Sequence, residues 1–242
     1  MMKKVRLVTL LAALSALAVL VWPSSPQRDL KLAGMAYRAR DLDQALRLAR
    51  RAAALGGDDL ELRLEALGIQ ARAALALKRP DMAQAYLDRM LALDPNQPLP
   101  YLMRGSLKLR QGDQAGALAD LDRGLALASA GGKDRASFLA PYYARRGRAN
   151  LALGRVQPAR RDIERALAAN PRDPEAHQLM SKIEERAKRW RPALVEAEKA
   201  LRLALARDRF FFMKPQGKKW LKRLVWLRMK NKVDLVRPYR GN

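Results

Sequence analysis

The chain has 242 residues, enough for one extended domain with a sizeable core. Its 48 Lys and Arg against 24 Asp and Glu leave a net charge of +24, which points to acidic partners or anionic surfaces. No cysteine is present, so disulfides, zinc–thiolate sites and thiol chemistry are excluded.

At the amino end, Lys3, Lys4 and Arg6 precede an apolar run from Leu7 to Trp22 in which only Thr9 and Ser15 are polar. That is the pattern of a secretory signal or signal-anchor. The following Pro23-Ser24-Ser25-Pro26 offers no Ala-x-Ala-like cleavage site, which favours an uncleaved anchor over a cleaved signal. The run is slightly shorter than the roughly 20 residues of a usual span, a gap that bilayer thinning makes up. With the basic end held inside, the expectation is a single-pass protein of a bacterial inner membrane. Residues 1–22 would be the transmembrane helix and 23–30 a linker, with the remainder facing the periplasm. A secreted or periplasmic protein after signal cleavage is the alternative.

The next feature is a recurring register. Ala83, Ala117, Ala159 and Ala193 are separated by 34, 42 and 34 residues, the middle interval lengthened around Gly131-Gly132-Lys133-Asp134. On that alignment Tyr101, Gly105, Gly112, Ala117 and Leu121 stand where Tyr143, Gly147, Gly154, Ala159 and Ile163 recur. A weaker copy reads His177, Ser181, Lys188, Ala193 and Ala197. Each unit holds two apolar-periodic segments joined by a short turn, hence two antiparallel helices. The pairs Gly105 with Ala117, Gly147 with Ala159 and Ser181 with Ala193 are small at both members because two helix backbones approach there. Asp94-Pro95 and Asn170-Pro171 close units. Looser copies upstream, with turns at Lys78 and around Arg40-Asp41, bring the count to five within residues 31–204. No such unit buries its apolar face alone, so the fold is a stack of helical hairpins.

The pattern of an aromatic, a small residue, an alanine opening the second helix and a closing proline resembles the tetratricopeptide repeat (TPR) family. The resemblance implies an all-α, right-handed solenoid of helical hairpins, here with an N-terminal hydrophobic helix and a C-terminal capping helix. It also implies a concave groove, lined by the first helix of each unit, that holds a segment of another protein. By register the groove positions are Tyr37, Arg38, Leu102, Ser106, Leu109, Arg110, Arg145, Arg148, Leu151, Gln178, Lys182 and Arg186. The family's carboxylate-gripping variant is not supported, because Ser106 and Arg148 occupy its asparagine places. Leucines mixed with arginines suit an acidic or amphipathic segment. The competing expectation is a solvated face whose arginines are neutralised by Asp120, Asp122, Asp162 and Glu164.

Residues 205–242 form a basic tail, with twelve Lys and Arg against Asp208 and Asp234 and six of the chain's fourteen aromatics. A helix over 218–232 collects Trp220, Leu221, Leu224, Val225 and Leu227 on one side, with Lys219, Lys222, Arg223 and Lys230 on another. The tail is expected to cap the last repeat. Contact with anionic lipid would use Lys218, Lys219, Trp220, Lys222, Arg223, Trp226, Arg228 and Lys230. Nucleic acid is disfavoured, since no groove-reading spacing is present.

Chemistry is thinly represented. His177 is the only histidine, at a packing position, and no phosphate loop or HExxH pattern occurs. No catalytic, cofactor-binding or metal-ligating residue is identified. The expected function is a non-enzymatic, membrane-tethered scaffold or assembly factor binding a protein in its groove. The alternative is a binder of anionic lipid, polysaccharide or nucleic acid through the tail.

Overall fold

The computed structural model describes residues 25–130 and 136–231. Those residues form eleven α-helices and no strand. In chain order they are α1 (Pro26–Arg38), α2 (Leu42–Leu55), α3 (Leu60–Ala76), α4 (Pro80–Leu93), α5 (Pro98–Gln111) and α6 (Gln114–Ala130). There follow α7 (Ala136–Ala152), α8 (Val156–Ala169), α9 (Pro174–Arg186), α10 (Trp190–Arg207) and, after a 3-10 turn at Phe211–Met213, α11 (Pro215–Lys230).

The repeat is written most plainly in the turns. Arg40, Lys78, Gly112, Gly154 and Lys188 all have positive φ, at 68°, 57°, 88°, 78° and 56°. After each, a backbone N–H reaches back across the end of the preceding helix. Asp41 donates to Ala36, Arg79 to Ala74, Asp113 to Lys108, Arg155 to Asn150 and Arg189 to Glu184, at 2.8–3.0 Å. This Schellman closure satisfies a helix-end carbonyl and reverses the chain. Glycine suits the left-handed residue, whereas Arg40, Lys78 and Lys188 hold it at a cost of about 1–2 kcal/mol each.

The donor of that bond is also the N-cap of the next helix. Asp41 accepts from the Gln44 N–H at 3.1 Å, and Asp113 accepts from the Gly116 N–H at 2.8 Å. Arg79, Arg155 and Arg189 occupy the same place and provide no side-chain cap.

A second recurring turn leads out of the hairpins. At Asp94, Asn170 and Asp208 the side-chain oxygen accepts from the N–H two residues on, at 2.9, 3.2 and 3.1 Å. Each is followed by a helix beginning at proline, at Pro98, Pro174 and Pro215 respectively. Proline suits that first position because its missing N–H would have no partner there.

Contacts group the chain into two units, 1–107 and 108–242, the boundary falling within α5. In the first, α1 with α2 and α3 with α4 form packed hairpins, with α3 also packed on α2. Their core is alanine and leucine: Ala33, Ala45, Ala49, Ala71 and Leu87 have no exposed surface. In the second unit α7 with α8 and α9 with α10 are the hairpins, α6 packs on α7, and α11 packs on α10.

Close approach within these hairpins depends on the small positions. A Cβ on Gly147 would stand 2.8 Å from Ile163 Cδ1 and 3.2 Å from the Ala159 carbonyl oxygen. In the next hairpin the buried Ser181 hydroxyl donates to the Ala193 carbonyl at 2.6 Å. Two buried carboxylates lock hairpins further. Asp29 on α1 takes both arms of Arg51 on α2, at 2.5 and 2.7 Å. Asp162 on α8 takes both arms of Arg146 on α7, at 2.9 and 2.6 Å, together with Asn150 at 3.2 Å.

Two expectations are corrected. Residues 26–30, assigned to a linker, belong to α1: Ser25 caps it by accepting from the Arg28 N–H at 3.3 Å, and Asp29 and Leu30 are buried. A serine followed by proline is a helix start as well as a linker signature. The single-pass inner-membrane placement is also overturned, because no helix among the described residues is long and apolar enough to cross a membrane. Even α10, the longest at 18 residues, carries Arg191, Glu196, Glu198, Lys199 and Arg202. The expected anchor and its periplasmic orientation rest on residues 1–22, which lie outside the described residues, as do 131–135 and 232–242.

Gly147→Ala should destabilise the protein by about 1–3 kcal/mol, because the fully buried Ile163 cannot step aside without disturbing the α7–α8 contact. Urea unfolding measures this, and an unchanged midpoint would refute the close-approach argument. Arg155→Asp should add about 1 kcal/mol by supplying the cap that α8 lacks. The readout is the shift in thermal midpoint, and a fall would show that the arginine is needed where it stands.

Candidate partner-binding site

The site is best built from the first helices of the second unit. On α7, Arg145 and Arg148 are one helical turn apart; on α9, Lys182 stands one period of 34 residues beyond Arg148. Arg148 reaches across to Glu175 of α9 at 3.0 Å, and Arg186 of α9 donates back to the Leu151 carbonyl of α7 at 2.7 Å. These two contacts hold α7 and α9 side by side. Arg110, in the last turn of α5, is exposed at the near end of the row.

Electrostatics shows how crowded the cations are. The Arg145 guanidinium is pushed down from its ordinary range first by desolvation, with Arg148 and Arg110 acting the same way against Glu175 and Asp173. The Lys182 ammonium is likewise pushed down by desolvation, then by Arg223, Lys219 and Arg148, with Glu185 alone opposing. Lys182 is nonetheless solvent-accessible, as suits a charge within a row of neighbouring helices. Beside Arg145, the buried Tyr142 hydroxyl has no hydrogen-bond partner among the described residues, and burial pushes it up to about 12.

The carboxylates expected to neutralise this face are occupied elsewhere. Asp120 pairs with Lys108 at 2.9 Å, Asp122 and Asp162 with Arg146, and Glu164 with Arg160 at 3.9 Å. Among the described residues no carboxylate lies within ion-pair distance of Arg110, Arg145, Lys182 or Lys219. Arg110, Arg148 and Arg186 are solvated, but the four carboxylates expected to neutralise them pair with Lys108, Arg146 and Arg160 instead, and Arg148 takes Glu175.

Not every position assigned by register faces outward. Leu102 and Leu151 are buried, the latter in the core between α7, α8 and α9, so they pack rather than bind. Gln178 is also buried. Ser106 is half-buried, its hydroxyl donating to the Leu102 carbonyl at 2.6 Å, and Leu109 is half-buried. In the first unit Tyr37 packs at the edge of the core beneath Arg72, whose guanidinium stands 5.7 Å from the ring centre, and Arg38 is exposed. His177 is buried, with Nδ1 2.6 Å from Glu196 and Nε2 2.9 Å from the Pro171 carbonyl, so both nitrogens are engaged in packing.

The tail behaves as a cap. Trp220, Leu224 and Leu227 are buried against α10, Phe211 meets Trp220 edge-on, and Trp226 meets Trp190 at 5.6 Å. Arg228 pairs with Glu198 at 2.9 Å, and the Lys230 ammonium lies 5.7 Å from the Trp226 ring centre. The tryptophans expected to enter a lipid interface are thus committed to the protein. Leu221 and Val225, placed by helical projection on the apolar side, are exposed with Met229, while Lys218, Lys219 and Lys222 point to solvent. Arg223 turns inward to pair with Glu185 of α9.

The hairpin arrangement has known counterparts. A fragment of MamA from Desulfovibrio magneticus RS-1, residue 41 to its end, superposes with a TM-score of 0.60 at 19% identity, covering 76% of this chain and 97% of that one. TTC0263, a thermophilic TPR protein of Thermus thermophilus, gives 0.57 at 23% identity, covering 84% and 99%. YrrB, a TPR protein with an unusual peptide-binding site, gives 0.56 at 15% identity, covering 72% and 84%. The fold is that of tetratricopeptide-repeat proteins. No family model matches the sequence, and no curated protein matches it significantly.

The lowered position of Lys182 sets a sign. Its folded value lies below its unfolded one, so at neutral pH the charged side chain costs stability, and the cost is relieved as pH rises through the lowered value toward the ordinary 10.5. Lys182→Met should therefore raise the thermal midpoint at pH 7, and its advantage should shrink as pH approaches 10. A variant less stable than wild type at pH 7 would contradict this assignment.

Proposed function

We propose that the protein is a non-enzymatic interaction scaffold whose first-helix face on α7 and α9 holds an acidic segment of a partner protein. The observation that carries this reading is the row of the exposed Arg110, the half-buried Arg145 and the exposed Lys182, which is cationic and without carboxylate partners among the described residues. A row of like charges that destabilises the free protein is favourable only when something of opposite sign arrives. Guanidinium groups suit carboxylates in particular, through paired N–H donors.

The fold supports the same reading. Helical hairpins stacked on one another leave a repeating helix face as the surface available to a long ligand. YrrB, of the same fold, is described as binding peptide. The alternative, a tail that binds anionic lipid or polymer by itself, loses support because Phe211, Phe212, Trp220 and Trp226 are packed and Arg228 is paired within the protein.

Two variants that remove the same net charge test it. Arg145→Ala with Lys182→Ala should weaken binding of a fluorescein-labelled Asp/Glu-rich peptide by about tenfold. Arg161→Ala with Lys199→Ala, on exposed positions of α8 and α10, should leave it within about twofold. Fluorescence anisotropy reads both. Equal losses in the two variants would mean that overall charge, not this face, does the binding.

A further inference from the structure

We infer that α11 is the first helix of an incomplete sixth unit, and that it extends the binding face with Lys219 and Arg223 so that one acidic segment spans α7, α9 and α11. This rests on the reading of α7 and α9 given above and adds to it a third helix, a length and a boundary.

The register is independent of electrostatics. The turn that exits α10 at Asp208 is the turn that exits α4 at Asp94 and α8 at Asn170, with the same side-chain hydrogen bond to the N–H two residues on. Each of the other two is followed four residues on by a proline-initiated first helix, α5 or α9, and α11 also begins at a proline, Pro215, seven residues on because the 3-10 turn Phe211–Met213 intervenes. Counted from those prolines, Arg223 falls at the position of Lys182 in α9 and Ser106 in α5, and Lys219 falls at that of Gln178 and Leu102. Arg148 is the equivalent of Lys182 one unit earlier. Arg223 therefore stands in the register of Arg148 and Lys182, while Lys219 adds a cation where the preceding first helices carry the uncharged Leu102 and Gln178.

The contacts agree with the count. Arg223 pairs with Glu185, one helical turn along α9 from Lys182, and Asn231 at the end of α11 donates to the Trp190 carbonyl at 2.9 Å. Trp220, Leu224 and Leu227 are buried, about a quarter-turn round α11 from Lys219, which is exposed. Lys182 feels cations from both neighbouring first helices, Arg148 of α7 and Arg223 and Lys219 of α11, against Glu185 of its own helix.

The occupant follows from the same inventory. Glu175 and Glu185 already sit in the row, each on an arginine, so carboxylates are the anions this surface accommodates at close range. Neighbouring helices pack about 8–10 Å apart, so three first helices extend over about 20 Å. An extended peptide of about six residues covers that distance at about 3.3 Å per residue. The partner is thus an extended acidic segment about six residues long, not a single terminal carboxylate.

The experiment compares labelled triglutamate and hexaglutamate, each binding to the full chain, by anisotropy in about 0.1 M salt, with oligo-dT of six nucleotides as the competing class. Wild type should bind hexaglutamate at least about tenfold more tightly than triglutamate. In Lys219→Ala with Arg223→Gln that gain should disappear while triglutamate affinity stays within about twofold. Lys219→Ala alone, at an exposed site, should remove part of the gain and guards against a folding effect of the Arg223 change. If the α11 variants keep the full length gain, this inference fails and the face ends at α9. If Arg145→Ala with Lys182→Ala binds triglutamate as wild type does, the underlying reading fails instead. Tighter binding of oligo-dT than of hexaglutamate, lost in the same variants, would overturn the acidic segment as occupant.

Discussion

The constraint on which the rest of this molecule depends is the left-handed closure at the end of each first helix. One residue with positive φ, followed by a backbone hydrogen bond reaching back to the helix, turns the chain at Arg40, Lys78, Gly112, Gly154 and Lys188. Because the same geometry recurs, the first helix of every hairpin starts its return from the same angular position, and residues one period apart face the same way. Arg148 and Lys182 owe their alignment to that, not to any contact between them. Where glycine is absent the closure is kept at a local energetic cost, which implies that packing along the hairpins exceeds it. The small contacts at Gly147 and at Ser181 with Ala193 are what packing supplies in return.

The second organising feature is how opposite charges are distributed. The chain has half as many carboxylates as basic side chains, and several of the carboxylates are engaged inside the hairpins. Asp29 and Asp162 are buried and doubly bonded to arginine, where removal of either partner would strand a charge. Asp120 and Glu184 are similarly engaged. What is left for the first-helix face of the second unit is mainly Glu175 and Glu185, one on Arg148 and one on Arg223. The excess of cations there is a consequence of using acids structurally elsewhere. It creates a surface whose own electrostatic energy is lowered by an acidic ligand.

Much of the fold is legible in the sequence because the physical requirements of hairpins are tied to residue type. Alanine at the first buried turn of each second helix, glycine at two of the closures and proline after the exits all recur at fixed spacing. The closures at Arg40, Lys78 and Lys188 are harder to read, since a charged residue gives no sign that its backbone is left-handed. The start of the first helix escapes a sequence reading because Ser25-Pro26 serves both a linker and a helix cap. The membrane assignment rests on hydropathy in residues outside the described helices, and the helices described are amphipathic and charged. Within the site, register alone ranks positions but does not separate a half-buried leucine from a buried one, so it places Leu102 and Leu151 on the surface. Lys219 and Arg223 stand out in the sequence only as part of a basic tail. Their proposed place in the row is argued from the side-chain-capped turn at Asp208 and the proline at Pro215, a signal present in the sequence but diluted by the aromatic run between them.

A row of this kind also limits which anions it can hold well. The net charge of +24 attracts any polyanion at long range, and that attraction is screened within about 10 Å at ordinary salt. Discrimination must then come from short range, where Glu175 and Glu185 interrupt the cations. A nucleic acid presents phosphates at fixed, close intervals and would set some of them against those two glutamates. An extended polypeptide alternates its side chains from one face to the other, so acidic residues can meet Arg145, Lys182 and Lys219 while uncharged ones pass the resident carboxylates. On the proposed reading, the glutamates reduce the raw charge of the face and by doing so would favour a partner with a particular spacing of acids.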